Sequence, residues 1–239
     1  MSRKEQYFSL KEGQTLGRNY YIVEWLGRGY EGEVYKVEER HTGIIRAAKI
    51  FYPGKESRKQ VLTYASKIHK LKSCPIVIQY HHRDISRVGG ETVEFVVSDF
   101  ADGEILSEYL ERQPKKRLSS FEALHLFYEL VCGVERFHVM GQYHGDIHSD
   151  NIMVKRRGLS FDIFLIDFFD LGRPSKEKVQ EDIYDMITVL FEMIGGPKGY
   201  KTAGPDIKQI VMGRKRTLIS RKAKNAGQMR LLLENLSWE

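Results

Sequence analysis

Cysteine is scarce in this chain of 239 residues: there are two, Cys74 and Cys132, each among apolar neighbours and outside any CxxC or Cys/His spacing. That pattern argues against a disulfide framework or a thiolate metal site and predicts two buried, reduced thiols, as suits a cytoplasmic protein. Long apolar runs are missing too. No stretch approaches the roughly 18 residues a membrane helix needs, and the opening Met1 to Gly13 has no apolar core of a secretory signal. Proline numbers six, with no Pro- or Ser-rich linker and no internal repeat. Acidic charge is in slight deficit, giving a net charge of +6. The basic clusters at Lys115-Lys116-Arg117, Lys155-Arg156-Arg157 and Arg214-Lys215-Arg216 are short and scattered. Without a stripe of basic and aromatic residues along one element they read as solvated surface, which disfavours a nucleic-acid partner.

What is present suffices for a large core, since 41% of the residues are hydrophobic. Tyr20 to Leu26, Glu33 to Val37 and, after a Thr42-Gly43 turn, Ile44 to Ile50 are rich in β-branched and aromatic types and predict an antiparallel meander. A helix is expected over about residues 57–72, where Val61, Ala65, Ile68 and Leu71 recur at helical spacing. Val77 to His82 and Thr92 to Val97, with a turn at Gly89-Gly90, complete five strands and one helix in the first hundred residues. Beyond Phe100 the pattern becomes helical. Ser119 and Glu122 form a capping box ahead of Phe121, Leu124, Phe127, Val131 and Val134. A β-like run at Ile163 to Ile166, a helix over about Glu181 to Ile194 and one or two short helices from Pro205 follow.

Four segments carry chemistry. Gly27-Arg28-Gly29-Tyr30-Glu31-Gly32-Glu33-Val34 lies between two expected strands, a context that suits a glycine hairpin folded over phosphates rather than a dinucleotide fingerprint. Glu31 at its tip is expected to point to solvent. In Ala47-Ala48-Lys49-Ile50 a lysine interrupts an apolar strand, and an ammonium there needs an anion such as a nucleotide's phosphates. The run from Tyr143 to Val154 holds His144-Gly145-Asp146 and Asn151. This H-x-D-x-x-x-x-N spacing puts a carboxylate and an amide on one loop, able to meet an acceptor hydroxyl and a metal ion. Finally, Phe164-Leu165-Ile166-Asp167 ends an apolar strand in an aspartate that can hold magnesium.

In that order the four segments resemble the eukaryotic-type Ser/Thr protein kinase family from about Leu16 to Leu236, and Gly17 to Phe51 is especially similar to its bacterial members. The resemblance implies an α+β, bilobal protein-kinase-like fold. Residues 1–100 would form a five-stranded antiparallel N-lobe with one helix, and residues 101–239 a mostly helical C-lobe with a truncated activation segment, together one kinase domain. It implies an ATP-dependent phosphotransferase using Mg²⁺ or Mn²⁺. By the same resemblance Gly27, Gly29 and Gly32 cover the phosphates, Lys49 anchors them, Asp146 is the catalytic base, and Asn151 and Asp167 hold the metal. Val34 and Ala47 would line the adenine pocket, Ser98 would be the gatekeeper, and the backbone of Asp99, Phe100 and Ala101 would meet the base. Asp182 would brace the catalytic loop.

Several positions depart from the family pattern. The upper-lobe helix places Tyr64 where a glutamate normally pairs with the strand lysine, and Glu56 is the only acid between Lys49 and Asp84. Gly145 replaces an arginine, Asp167-Phe168-Phe169 replaces DFG, and Ser175 is the only hydroxyl residue between Asp167 and Asp182. Gly145 and the lone Ser175 argue against switching by activation-loop phosphorylation, while losing the glycine of DFG should stiffen the loop and narrow any in-out flip. His148 stands where a lysine is usual, and HGDIH-x-x-N is closer to aminoglycoside and choline kinase-like phosphotransferases; a histidine there could contact the γ-phosphate or orient Asp146. The expected acceptor is a Ser/Thr of a protein substrate. The alternatives are a small-molecule hydroxyl acceptor and an inactive nucleotide-binding scaffold.

Overall fold

The computed structural model describes residues 7–54, 58–168, 172–215, 218 and 223–236. The chain forms two compact units, Met1–Lys70 with Ile78–Ala101, and Leu71–Val77 with Asp102–Glu239.

The first unit is built on a six-stranded antiparallel sheet: β1 (Thr15–Leu16), β2 (Tyr20–Arg28), β3 (Gly32–Glu39), β4 (Ile45–Phe51), β5 (Tyr80–Val88) and β6 (Glu91–Asp99), in the order β1-β2-β3-β4-β6-β5. Six strands replace the five expected. The extra one, Thr15–Leu16, pairs with Tyr21 and Tyr20 across a tight turn in which Gly17 takes a φ of +59°. Two residues are too few to show a period of two in the sequence. β5 also runs later than expected, because its alternation is carried by His82, Asp84 and Ser86 rather than by apolar residues. Its hairpin with β6 turns at Gly89 and Gly90, both at positive φ, as the sequence indicates. The helix α1 (Arg58–Lys70) buries Val61 and Ile68.

Residues directly opposite in antiparallel strands share a face, so the register divides this sheet cleanly. Tyr35, Ala48 and Val97 face one way and, with Ile22, Val37, Ile50 and Phe95, form a buried core closed by Phe8, Leu10 and Trp25. Gly27, Val34, Lys49 and Val96 lie in one row of the opposite face, and Lys36, Ala47 and Ser98 in the next. Pairing alone thus collects five of the residues singled out in the sequence, Gly27, Val34, Lys49, Ala47 and Ser98.

The second unit contains β7 (Glu104–Ile105), α2 (Leu106–Arg112), α3 (Ser120–Val139), β8 (Ile152–Arg157), β9 (Ser160–Leu165), α4 (Lys176–Met193), α5 (Gly196–Thr202), α6 (Pro205–Val211) and α7 (Ala226–Glu234). The capping box of α3 forms as the sequence indicates: Ser119 accepts from the Glu122 amide and Glu122 accepts from the Ser119 amide. Helix α4 begins earlier than expected because Ser175 caps it, its hydroxyl accepting from the Lys178 amide. Phe127, Leu130, Val134 and Phe137 of α3 are buried, as are Ile183, Ile187 and Leu190 of α4. The segment Leu71–Val77 passes so close to α3 that a Cβ on Gly133 would sit 2.4 Å from the Ile76 side chain. The three strands β7, β8 and β9 form a small antiparallel sheet, and β8 starts directly after the segment His144 to Asn151. No described helix is long and apolar enough to cross a membrane.

Candidate active site

In the first unit, the β2–β3 turn carries the glycine motif. Gly29 donates to the Gly32 carbonyl at 2.8 Å, and the Glu31 carbonyl accepts from the Tyr52 amide at 2.8 Å, which fastens the tip to the end of β4. The three glycines differ in what they are for. A Cβ on Gly32 would lie 2.1 Å from the Ile50 carbonyl oxygen, so glycine is required there by strand approach. A Cβ on Gly27 or Gly29 would meet nothing within 4 Å, and neither takes a positive φ. Folding does not ask for glycine at these two positions.

Lys49 lies opposite Val34 and Val96. Its Nζ sits 2.5 Å from Glu31 Oε2, with the two side chains only 17% and 21% exposed. Glu31 therefore does not point to solvent. Its half-buried position beside a half-buried cation makes pairing more favourable than hydration of either group alone. Glu56 lies outside the described residues, and Tyr64 is half-buried on α1. A second carboxylate, Glu33, is fully buried; it accepts from the Tyr35 hydroxyl at 2.7 Å and the Tyr7 amide at 2.6 Å, and with burial it pushes the Tyr35 pKa up. Neither pairing can be read from sequence, because each joins groups that only the folded sheet brings together.

Val34 and Ala47 flank Lys49 on the same sheet face, and Ser98 is opposite Ala47. Asp99 is heavily engaged: its carboxylate meets Arg46 Nη1 and His81 Nε2, both at 2.6 Å, and its amide donates to the Gln79 carbonyl at 2.9 Å. The Phe100 ring receives Lys36 Nζ at 4.8 Å, and Ala101 is buried.

In the second unit, the loop after α3 is held from beneath. The fully buried Asp182 accepts from the amides of His144 and Gly145, each at 2.8 Å, and from His138 Nε2 at 2.9 Å. Nδ1 of His138 is buried without a hydrogen-bond partner. The proton therefore belongs on Nε2, facing the carboxylate, because an orphaned acceptor costs less than an orphaned buried N–H. Gly145 has a φ of +90°, a conformation that an arginine would adopt only with strain. His144 is buried, donating from Nε2 to the Ile166 carbonyl at 3.0 Å and accepting the Asp146 amide on Nδ1 at 3.2 Å.

This frame presents Asp146, whose side chain is exposed. Asn151 Nδ2 donates to the Asp146 carbonyl at 3.0 Å and to its Oδ2 at 3.1 Å. Since both partners are acceptors, the amide nitrogen of Asn151 faces Asp146 and its oxygen is turned away. His148 Nε2 is 3.4 Å from the same Oδ2, while its Nδ1 accepts the Asp150 amide at 3.2 Å, which puts the neutral ring's proton on Nε2. Asp167 is exposed and takes a φ of +68°, uncommon for a residue with a side chain. The strand pairs Ile152 with Leu165, and the Ile166 amide donates to the Asn151 carbonyl at 3.0 Å, tying Asn151 to the residue before Asp167. Phe168 is buried against His144 and Phe137, with ring centroids 4.3 and 5.8 Å away. Phe169 lies outside the described residues.

One ionisable group at this loop gave no signal in the sequence. Asp185 sits one turn beyond Asp182 on α4, its carboxyl accepting from the Ile147 amide. Burial, then the Asp182 and Glu181 carboxylates, push its pKa up to about 6.

A glycine hairpin and lysine on an antiparallel sheet, with an aspartate loop braced by a buried helix aspartate, define the protein-kinase-like fold. The chain belongs to the protein kinase domain family, which matches residues 20–193. It is 27% identical over 173 residues to the negative regulator of sexual conjugation and meiosis of Schizosaccharomyces pombe, aligning 71% of this chain with 35% of that protein. It is 25% identical over 150 residues to the serine/threonine-protein kinase PknA of Corynebacterium glutamicum, aligning 61% of this chain with 32% of that one. The chain thus spans about a third of the length of these curated relatives. The crystal structure of the Mycobacterium tuberculosis PknI kinase domain has the same fold, with a TM-score of 0.65, 18% identity, and coverage of 95% of this chain and 98% of that one.

Proposed function

We propose that this domain transfers the γ-phosphoryl group of ATP to a Ser/Thr hydroxyl of a protein, without a phosphorylation step on its own activation segment. The observation that carries the reading is the exposed Asp146 carboxylate, oriented by Asn151 on a loop that Asp182 braces. Because Asn151 and His148 both face Oδ2, Oδ1 is the oxygen that accepts the acceptor's proton while the oxygen so released attacks the γ-phosphorus and the bond to ADP breaks. Asp146 has to orient the hydroxyl in line; no covalent intermediate with the protein is needed.

Nucleotide binding falls to the first unit. Gly27 and Gly29 admit phosphates close to the backbone, Lys49 offers its ammonium to the α- and β-phosphates, and Val34 and Ala47 supply an apolar surface for adenine. With the Asp99 amide donated to Gln79, the Asp99 carbonyl and the backbone of Phe100 and Ala101 are the groups for the base. The donors fit Mg²⁺ or Mn²⁺: the Asp167 carboxylate and the Asn151 amide oxygen are hard oxygen ligands, and when bound the ion would neutralise the β- and γ-phosphate oxygens. Independence from phosphorylation is supported by Ser175, the one hydroxyl residue in the sequence between Asp167 and Asp182, serving as the N-cap of α4, where its oxygen accepts the Lys178 amide. The free thiols Cys74 and Cys132, both raised in pKa by burial, support a reducing, cytoplasmic setting. A small-molecule hydroxyl acceptor is the second reading, favoured by His148 beside Asp146.

The test is incubation with γ-labelled ATP and Mg²⁺ or Mn²⁺, alone, with casein, and with aminoglycoside and choline acceptors, beside an Asp146→Asn variant. Labelled casein or labelled protein that Asp146→Asn reduces about 10²- to 10⁴-fold supports the reading. Equal labelling by both proteins would remove Asp146 from its role, and label appearing only on a small acceptor would select the second reading.

A further inference from the structure

In the reading above, the α- and β-phosphates lie between the glycine hairpin and Lys49. The structure already has an anion in that place. Glu31, between Gly29 and Gly32, reaches from the hairpin tip to Lys49 and brings Oε2 to 2.5 Å from Nζ. The tip is held at the end of β4 by the bond from the Tyr52 amide to the Glu31 carbonyl, which fixes the backbone from which the Glu31 side chain reaches Lys49. The space beside Gly27 and Gly29, by contrast, is left open by the chain. A carboxylate oxygen and a phosphate oxygen are chemically alike to an ammonium: each is an anionic acceptor of a short, charge-assisted hydrogen bond.

We infer that Glu31 is an affinity-setting residue of the nucleotide site, a carboxylate that stands in for phosphate on Lys49 and that di- and triphosphates must displace in order to bind. The inference rests on the nucleotide reading of the first unit. It makes a distinction that simple charge repulsion does not. The cost of breaking the Glu31–Lys49 pair falls only on ligands that use Lys49, and it disappears when Lys49 is no longer a cation.

Isothermal titration of Mg·ADP and of adenosine into wild type, Glu31→Gln, Lys49→Met and the double variant tests this, with a thermal melt of each protein to show that it is folded. Glu31→Gln is expected to bind Mg·ADP about tenfold tighter, to leave adenosine affinity within about twofold, and to give no gain in the Lys49→Met background. Unchanged or weaker Mg·ADP binding by Glu31→Gln overturns the inference, because the carboxylate then does not compete with phosphate. An equal gain for adenosine, or one that persists with Lys49→Met, overturns it too, because the effect then does not act through Lys49. If neither wild type nor Glu31→Gln binds either ligand, the nucleotide reading itself falls and takes the inference with it.

Discussion

Asp185 shows how a single carboxyl can be held in an unfavourable charge state by its surroundings. Its pKa rises from the ordinary 3.8 to about 6, chiefly through burial and then through the Asp182 charge. The folded chain therefore keeps a proton that the unfolded chain gives up between those values. Stability contributed by this group is present at low pH, is lost as pH rises from about 4 to 6, and stays lost above that window. The shift corresponds to at most about 3 kcal/mol, and partial exposure of the side chain reduces this to about 1–2 kcal/mol. Asp185→Asn, which keeps an acceptor for the Ile147 amide, should raise stability in urea by about that amount at pH 7.5 and by little at pH 4. An equal gain at both pH values would show that the charge is not what destabilises. Asp146, Asn151 and Asp167 stand out as candidates from spacing along the chain because each belongs to a short motif. Asp185, Glu33 and the Glu31–Lys49 pair could not, since their partners come from other strands or loops and nothing local marks them.

At the scale of elements, the glycine hairpin makes a sharp contrast between positions that look alike in the sequence. Gly32→Ala would drive a methyl group into the Ile50 carbonyl and should destabilise the fold by more than about 2 kcal/mol, visible in thermal melts without any ligand. Gly27→Ala and Gly29→Ala meet no protein atom; they should melt close to wild type yet weaken Mg·ADP binding in titration. Loss of stability at all three with ADP affinity unchanged would make the motif a folding device only. The same scale explains which elements were legible. Helix α3 announces itself by a capping box and a 3.6-residue apolar period, and β3 and β4 by β-branched and aromatic runs. Strand β5 does not: His82 stacks on Tyr20, and Arg83 makes a bidentate pair with Glu94, so polar side chains do the work that apolar alternation normally signals. Helix α4 starts ahead of the expected Glu181, and its first turn, Lys176 to Val179, is mostly charged, so that only the Ser175 cap marks it.

For the molecule as a whole, the proposed independence from phosphorylation of the activation segment can be tested directly. With Ser175 capping α4, phosphatase treatment of the purified protein should leave its rate of casein labelling unchanged. Ser175→Ala should cost about 1 kcal/mol of stability while its turnover, measured well below the melting temperature, stays at the wild-type level. A phosphatase-sensitive rate would point to control by phosphorylation after all. The order of motifs along the chain was enough to suggest the family, because that order is a property of the sequence itself. How the chain is divided was less visible. Leu71–Val77 belongs with the second unit, yet its composition resembles that of its neighbours.

That short segment also bears on how the chain is made. Its partners come late: Val77 bridges to Leu165, whose amide donates to the Ile76 carbonyl at 2.6 Å, and Ile76 packs where Gly133 leaves room. On a ribosome adding about 5–20 residues per second, residues 71–77 wait on the order of five to twenty seconds for Leu165 to be synthesised. Both flanks of that segment belong to the first unit, so a nascent chain can build the sheet around it while this apolar stretch, Cys74-Pro75-Ile76-Val77, has no partner strand to join. The interval is one in which a holdase chaperone has something specific to cover, and cutting the gene at residue 101 would make it permanent.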